Sequence, residues 1–206
     1  MNLGASLFLS LAIAASAAGV PWVGSGVNRW YLTGALAVGL TFSGIIAGVP
    51  LAAYPWTDLV VLLVSLSAGI LLGRSLSQTA WPMLVLLVVL SALDVAQIVL
   101  TSHSPSPSRQ QSIPPPGQLV GNFFLALPAG HFNIGIFDIF TIAAISEHWR
   151  RRGACIYLAE APGIIGLILA FAFLWLAYEG SLPLIPFLLL GWLCSVLLSH
   201  VHRRDR

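Results

Sequence analysis

Two carboxylic acids sit where the sequence otherwise reads as lipid-soluble. Asp138 is the one charged residue in the stretch FNIGIFDIFTIAAI, residues 132–145, and Asp94 is its counterpart in VVLSALDVAQIVL, residues 88–100. A carboxylate in the interior of a bilayer costs a few kcal/mol or more, so such residues are rare and usually functional. Two carboxyls a few Å apart cannot both ionise cheaply and instead share one proton, which makes one a base and the other an acid. The chemistry open to such a pair is that of an aspartic protease. The ionised acid takes a proton from water, the water attacks a peptide carbonyl, and the protonated acid supports the oxyanion before the leaving amine is protonated. The ordinary alternative is a structural hydrogen bond between helices.

The elements that must position these acids are helices in a membrane. Of the 206 residues, 58% are hydrophobic and 8% are charged, and the mean hydropathy is +0.92. Water-soluble domains carry about a quarter charged residues. The apolar runs are long and continuous rather than alternating, which argues against a membrane β-barrel. The fold class read from this is an all-α polytopic membrane protein. A net charge of +2, with no Lys, is too small to suggest a nucleic-acid partner. Cys155 and Cys194 each fall in an apolar run without a CxxC or His partner and read as packing residues.

Seven spans of about 20 apolar residues are expected, at 3–20, 30–52, 57–75, 80–101, 130–148, 154–178 and 181–201. Pro21, Pro50, Pro55 and Gly153 fall at breaks between them, and Thr57 is a plausible N-cap for the third. The N-terminus resembles a signal peptide at Ala15-Ser16-Ala17, yet no basic residue precedes the apolar run, so a retained first helix is expected. With the N-terminus outside, Arg29, Arg74, Arg150, Arg151, Arg152, Arg203, Arg204 and Arg206 all fall on the cytoplasmic side, and Arg109 alone falls outside. That asymmetry is the positive-inside pattern, and it puts the C-terminus in the cytoplasm. The chain divides into a three-span part, 1–79, and a four-span part, 80–206, whose loop 102–118 is rich in Ser, Pro and Gln and is expected to be mobile. Residues 119–131 read as an apolar segment interrupted by Gly121, Pro128 and Gly130, expected to be a short interfacial or re-entrant segment or a strand. The pairs Gly44/Gly48 and Gly69/Gly73 have the spacing of close helix packing.

On this layout Asp94 lies seven residues before the end of the fourth span and Asp138 eight residues after the start of the fifth. Both are then about 10–12 Å below the outer surface on consecutive antiparallel helices, where they can face each other. Ser91, Asp94, Gln97 and Thr101 form a polar stripe on one helix, and Thr141 follows Asp138 by one turn.

At this point the sequence resembles the intramembrane aspartyl proteases of presenilin and signal peptide peptidase type, over residues 80–206. That family carries an Asp in a Tyr-Asp pair, a Gly-x-Gly-Asp on the next helix and a Pro-Ala-Leu element on the last. Here Leu93-Asp94, Gly135-Ile136-Phe137-Asp138 and Leu182-Pro183-Leu184-Ile185-Pro186 stand in that order. Leu93 replaces the Tyr, Phe137 the second Gly, and Leu184-Ile185 the Ala-Leu. The resemblance implies a presenilin-like bundle lacking two N-terminal helices, with Asp94 and Asp138 catalytic and no cofactor. It also implies transmembrane peptide or protein substrates, such as spent signal peptides, that unwind and add as a strand near Asn133, Ile134 and Gly135 and near Pro183, Leu184 and Ile185. The loop between the Asp helices lies outside, as in the signal peptide peptidase orientation, which favours substrates with the N-terminus inside.

Two other classes fit the same acids. One is a small proton- or cation-coupled transporter, for which no inverted repeat is evident. The other is a catalytically inactive presenilin-like scaffold. No His pair has metal-site spacing beside an acid on one helix, so no metal is expected. Glu160 is expected to pair with Arg150–Arg152 or to snorkel, and His131 and Asn133 to hydrogen-bond at the interface.

Overall fold

In the computed structural model the described residues are 16–22, 28, 31, 33–35, 37–39, 56–102, 124–126, 133–177 and 183–204. The fold is all-α with one small hairpin. Helical residues 16–22 form α1, and those at 31, 33–35 and 37–39 form α2. Then come α3 (Trp56–Ser75), α4 (Ala80–Ser102), β1 (Phe124–Ala126), β2 (Asn133–Gly135), α5 (Ile136–Arg151), α6 (Ile156–Ala177) and α7 (Ile185–Arg204). The expected spans from the third on fall on α3 to α7 in order, whereas residues 3–15 and 40–52 of the first two lie outside the described residues. Residues 103–118 of the Ser/Pro loop, Gly44, Gly48, Arg109 and His131 lie outside the described residues.

Among the described residues one 18-residue stretch, Ile156–Phe173 with hydropathy 1.9, is long and apolar enough to cross a membrane. Leu62–Ser75, Ala80–Ala96 and Ile185–Ser199 are shorter apolar helical stretches.

Three boundaries differ from the sequence expectation. α1 runs through Pro21 to residue 22, and α3 begins at Trp56, so Thr57 lies inside the helix rather than capping it. The larger difference is at α5, which starts at Ile136 and not at 130. The preceding residues are claimed by strand pairing: β2 runs antiparallel to β1 with Phe124 opposite Gly135, Leu125 opposite Ile134 and Ala126 opposite Asn133.

α5 is the axis of the packing, and α3 lies along it more extensively than any other pair of elements meets. The reason is the absence of side chains. A Cβ on Gly69 would collide with the Phe140 carbonyl oxygen, and one on Gly73 would come within 2.5 Å of the Ala144 carbonyl oxygen. The Gly69/Gly73 spacing thus lets two backbones touch, as expected. α6 and α7 close together in the same way, with Gly191 against the Pro162 carbonyl oxygen and Gly166 against the backbone of Leu188. At the far end α5 stops in a Schellman turn: the Ala154 N–H donates to the Trp149 carbonyl and the Gly153 N–H to the Arg150 carbonyl, both at 3.1 Å. Gly153 takes φ +71°, which only glycine adopts readily.

Two apolar clusters fill the bundle. One joins Ile139 and Ile142 of α5 to Leu167 and Phe171 of α6 and to Leu184 and Leu188 at the start of α7. The other, at the opposite end, joins Met83 and Leu87 of α4 to Ile145, Trp149 and Trp192.

The substitution Gly73→Ala is expected to lower stability by about 1–3 kcal/mol, because the new methyl must push apart two packed backbones. Gly34→Ala, where a Cβ meets nothing within 4 Å, is expected to be neutral or to stabilise by up to about 1 kcal/mol. Denaturant unfolding midpoints of the two variants in one detergent check the contrast.

Candidate functional site

The start of α7 is poor in amide donors. Pro183 and Pro186 have no N–H, and the Phe187 and Leu188 amides both donate to the Leu184 carbonyl, at 3.0 and 3.1 Å. Leu184 is therefore the N-cap, and the Ile185 N–H has no partner within its own helix. Asp94 supplies one. The Ile185 N–H donates to Asp94 Oδ2 at 3.1 Å, 91 residues away in sequence. A carboxylate here completes the cap and meets the positive end of the helix dipole.

Asp94 reaches that amide because of the face it occupies. Met83, Leu87 and Ser91 are buried and share its side of α4, whereas Val85, Val88, Val89 and Leu93 point outward. Leu93, at the position of the family's Tyr, is 60% exposed. The Ser91 hydroxyl is buried on the same face, with no partner among the described residues. The expected polar stripe thus faces the bundle at Ser91 and Asp94, and the Gln97 and Thr101 side chains lie outside the described ones.

Asp138 is the third residue of α5, half-buried, directly after β2. The expected depth of two turns into that helix is corrected to the first turn, because Asn133–Gly135 is extended. Its neighbour Ile139 is fully buried in the cluster that also holds Leu184 and Leu188. Asp138 is thus one residue from that cluster, and Asp94 is bonded to the residue beside Leu184. Asp94 is thus at the start of α7 and Asp138 at the start of α5. The helices do not meet there as simple consecutive neighbours: α4 leans mainly on α7, and α5 mainly on α3. α4 continues eight residues past Asp94 to Ser102, about 12 Å, so α7 begins well below the end of α4.

Phe137 does not crowd the junction. Its ring is 55% exposed and turned away from the core, so a bulky residue is accommodated where the family carries glycine. Thr141, one turn on, is fully buried and donates to the Phe137 carbonyl at 2.6 Å. The candidate strand residues Asn133, Ile134 and Gly135 are a strand, already paired on one side with β1. Of the other substrate-binding candidates, Pro183, Leu184 and Ile185 form the cap that Asp94 holds.

The opposite end of α5 carries a cluster that the sequence reading passed over. Glu147 is fully buried and takes four hydrogen bonds from three arginines. Arg150 binds it in bidentate fashion at 2.7 and 2.8 Å, Arg74 of α3 at 2.8 Å and Arg151 at 3.0 Å. The expected pairing of Arg150 and Arg151 with Glu160 is replaced by this one. The sequence did contain a signal: Arg150 and Arg151 lie three and four residues after Glu147, the spacing at which helical side chains meet. Beside it His148 donates from Nδ1 to the Leu76 carbonyl at 3.0 Å, which ties the end of α3 to α5. Among the described residues no group of three His, Cys, Asp or Glu could hold a metal ion.

Comparison with protein-family models, with curated proteins and with solved structures finds no match for this chain.

Asp94→Asn keeps an oxygen for the Ile185 amide and is expected to unfold within about 0.5 kcal/mol of the parent. Asp94→Ala removes the cap and is expected to cost about 1 kcal/mol. Unfolding midpoints of the parent and both variants measured side by side check this, and an Asp94→Ala midpoint equal to the parent's would show that the bond contributes nothing.

Proposed function

We propose that the chain is a polytopic membrane protein of presenilin and signal peptide peptidase type that cleaves transmembrane segments with an Asp94/Asp138 dyad. The observation that carries this reading is the hydrogen bond from Ile185 to Asp94. It joins two of the three short motifs on which the resemblance rests, and the apolar cluster under it holds the neighbour of the third, Ile139.

Embedding in a bilayer is supported by the outward faces. On α4, Val85, Val88, Val89, Leu93 and Val99 are exposed while Ser91 and Asp94 face inward, the inverse of a water-soluble helix. Arg74, Arg150 and Arg151 gather at one end, which is the cytoplasmic end under the positive-inside rule. The acids are at the other end, toward the outside.

In the reaction one carboxyl is ionised and takes a proton from water, whose oxygen attacks the substrate carbonyl. The other, protonated, donates to the carbonyl oxygen as it gains charge. The tetrahedral intermediate collapses as the amine takes a proton from the dyad, leaving a new carboxylate and a new amine. The hairpin before Asp138 offers an edge on which an unwound substrate can add as a strand, with its peptide bond carried toward the α5–α7 junction.

The same hydrogen bond also favours a second reading, an inactive scaffold in which Asp94 only caps α7. Cleavage separates the two. Purified chain in liposomes with a transmembrane peptide oriented N-terminus inside is expected to release two fragments. Asp94→Asn and Asp138→Asn should each reduce the rate by about 100-fold or more while the protein stays folded. Cleavage that persists in either variant contradicts the dyad, and a folded parent that cuts no peptide in either orientation supports the scaffold.

A further inference from the structure

At the end of the bundle opposite the acids, the described arginines outnumber the carboxylate they pair with. Among the described residues Arg74, Arg150 and Arg151 share one carboxylate, Glu147, and Arg152 stands beside them against His148 and Trp149. Glu147 is already heavily used: Oε1 accepts from Arg74, Arg150 and Arg151, and Oε2 from Arg150. The Arg151 side chain is 45% exposed and spends only its Nε on Glu147, which leaves its two terminal nitrogens as further donors. Arg152 lies over the Trp149 ring, 6.0 Å from its centroid, and its Nη1 reaches His148 Nε2 at 3.5 Å. With His148 Nδ1 donating to Leu76, that Nε2 is an acceptor and the ring adds no charge.

The apolar cluster directly beneath is also rich in donors. Trp22, Trp149 and Trp192 pack in or against it, and each buries an indole N–H with no acceptor among the described residues. An indole can only donate. Two exposed aromatics, Trp81 and Tyr157, stand at the first turns of α4 and α6 at this same end, the place such rings take at a bilayer interface.

We propose that this cluster is a binding site for the phosphate headgroup of an anionic phospholipid. Arg151 and Arg152 hold the phosphate, and Glu147 holds Arg74 and Arg150 in place behind them. Guanidinium groups bind phosphate oxygens in pairs of parallel hydrogen bonds. Because the cluster joins the ends of α3 and α5, a bound headgroup tightens the helix pair that carries Asp138. The site rests on the bilayer reading above and not on the protease reading.

The test uses the full chain in detergent, with phosphatidylglycerol and phosphatidylcholine of identical acyl chains. Native mass spectrometry is expected to show phosphatidylglycerol retained at least 5-fold more than phosphatidylcholine, and phosphatidylglycerol alone to raise the melting temperature. Arg151→Gln with Arg152→Gln should abolish the preference and leave the Glu147 pairs with Arg74 and Arg150 intact. Arg109→Gln, equal in sign but in the 102–118 loop, should leave the preference unchanged. Equal retention of the two lipids, or a preference that survives the double substitution, overturns the site. Equal protection by millimolar inorganic phosphate would mean a free-anion site instead. If carbonate washing extracts the chain from membranes, the bilayer reading itself fails.

Discussion

The hydrogen bond between the Asp94 carboxyl and the Ile185 amide is the interaction on which the rest of the arrangement depends. The first amide of a helix has no partner in its own helix, and at α7 a side chain of α4 supplies one. The bond sets where α7 begins relative to α4. It thereby fixes the place of Leu184 and Leu188, and through their apolar cluster the place of Ile139 and the first turn of α5. An acid that in sequence is an anomaly inside an apolar helix thus has a local physical reason to be there. That reason is compatible with catalysis, since a carboxylate held by backbone amides is oriented before any substrate arrives.

The other acid is positioned from a distance. α5 is clasped along its length by α3, whose glycines at 69 and 73 allow backbone contact. The clasp is locked at its far end by Glu147, the three arginines and the His148–Leu76 bond. Glu147 is fully buried, and a buried carboxylate stripped of such partners costs about 3–5 kcal/mol. The orientation of Asp138 therefore depends on residues about two and a half turns away on its own helix and on a helix outside the part of the chain that resembles the protease family. The division at residue 79 is one of sequence motifs, and the packing of α3 on α5 runs straight across it.

Much of this is legible in the sequence because it follows from local chemistry. Apolar run length placed the helices, Gly153 marked the end of α5, the Gly69/Gly73 spacing marked a close approach, and Ser91 with Asp94 marked an inward face. What was not legible depends on partners far along the chain. The start of α5 moved because residues 133–135 pair with residues 124–126, and apolar composition cannot distinguish a helix from a short strand. Phe137 stands beside Asp138 where the family carries glycine, and only the rotation of α5 turns its ring outward. Glu147 escaped notice because Arg74, 73 residues away, completes its shell, although its spacing to Arg150 and Arg151 was in plain view. The Pro183–Pro186 element was read as a substrate contact, and its bond to Asp94 required the fold.

Whether Asp94 and Asp138 act as one dyad can be measured without a substrate. A photoreactive transition-state analogue of aspartyl proteases, bearing a hydroxyl isostere for the tetrahedral intermediate, should be crosslinked to the parent protein and to Asp94→Ala and Asp138→Ala variants of verified fold. The account predicts labelling of the parent, competed by unlabelled analogue, and its loss in both variants. Labelling that survives either substitution, or a well-folded parent that takes up no label, would contradict it.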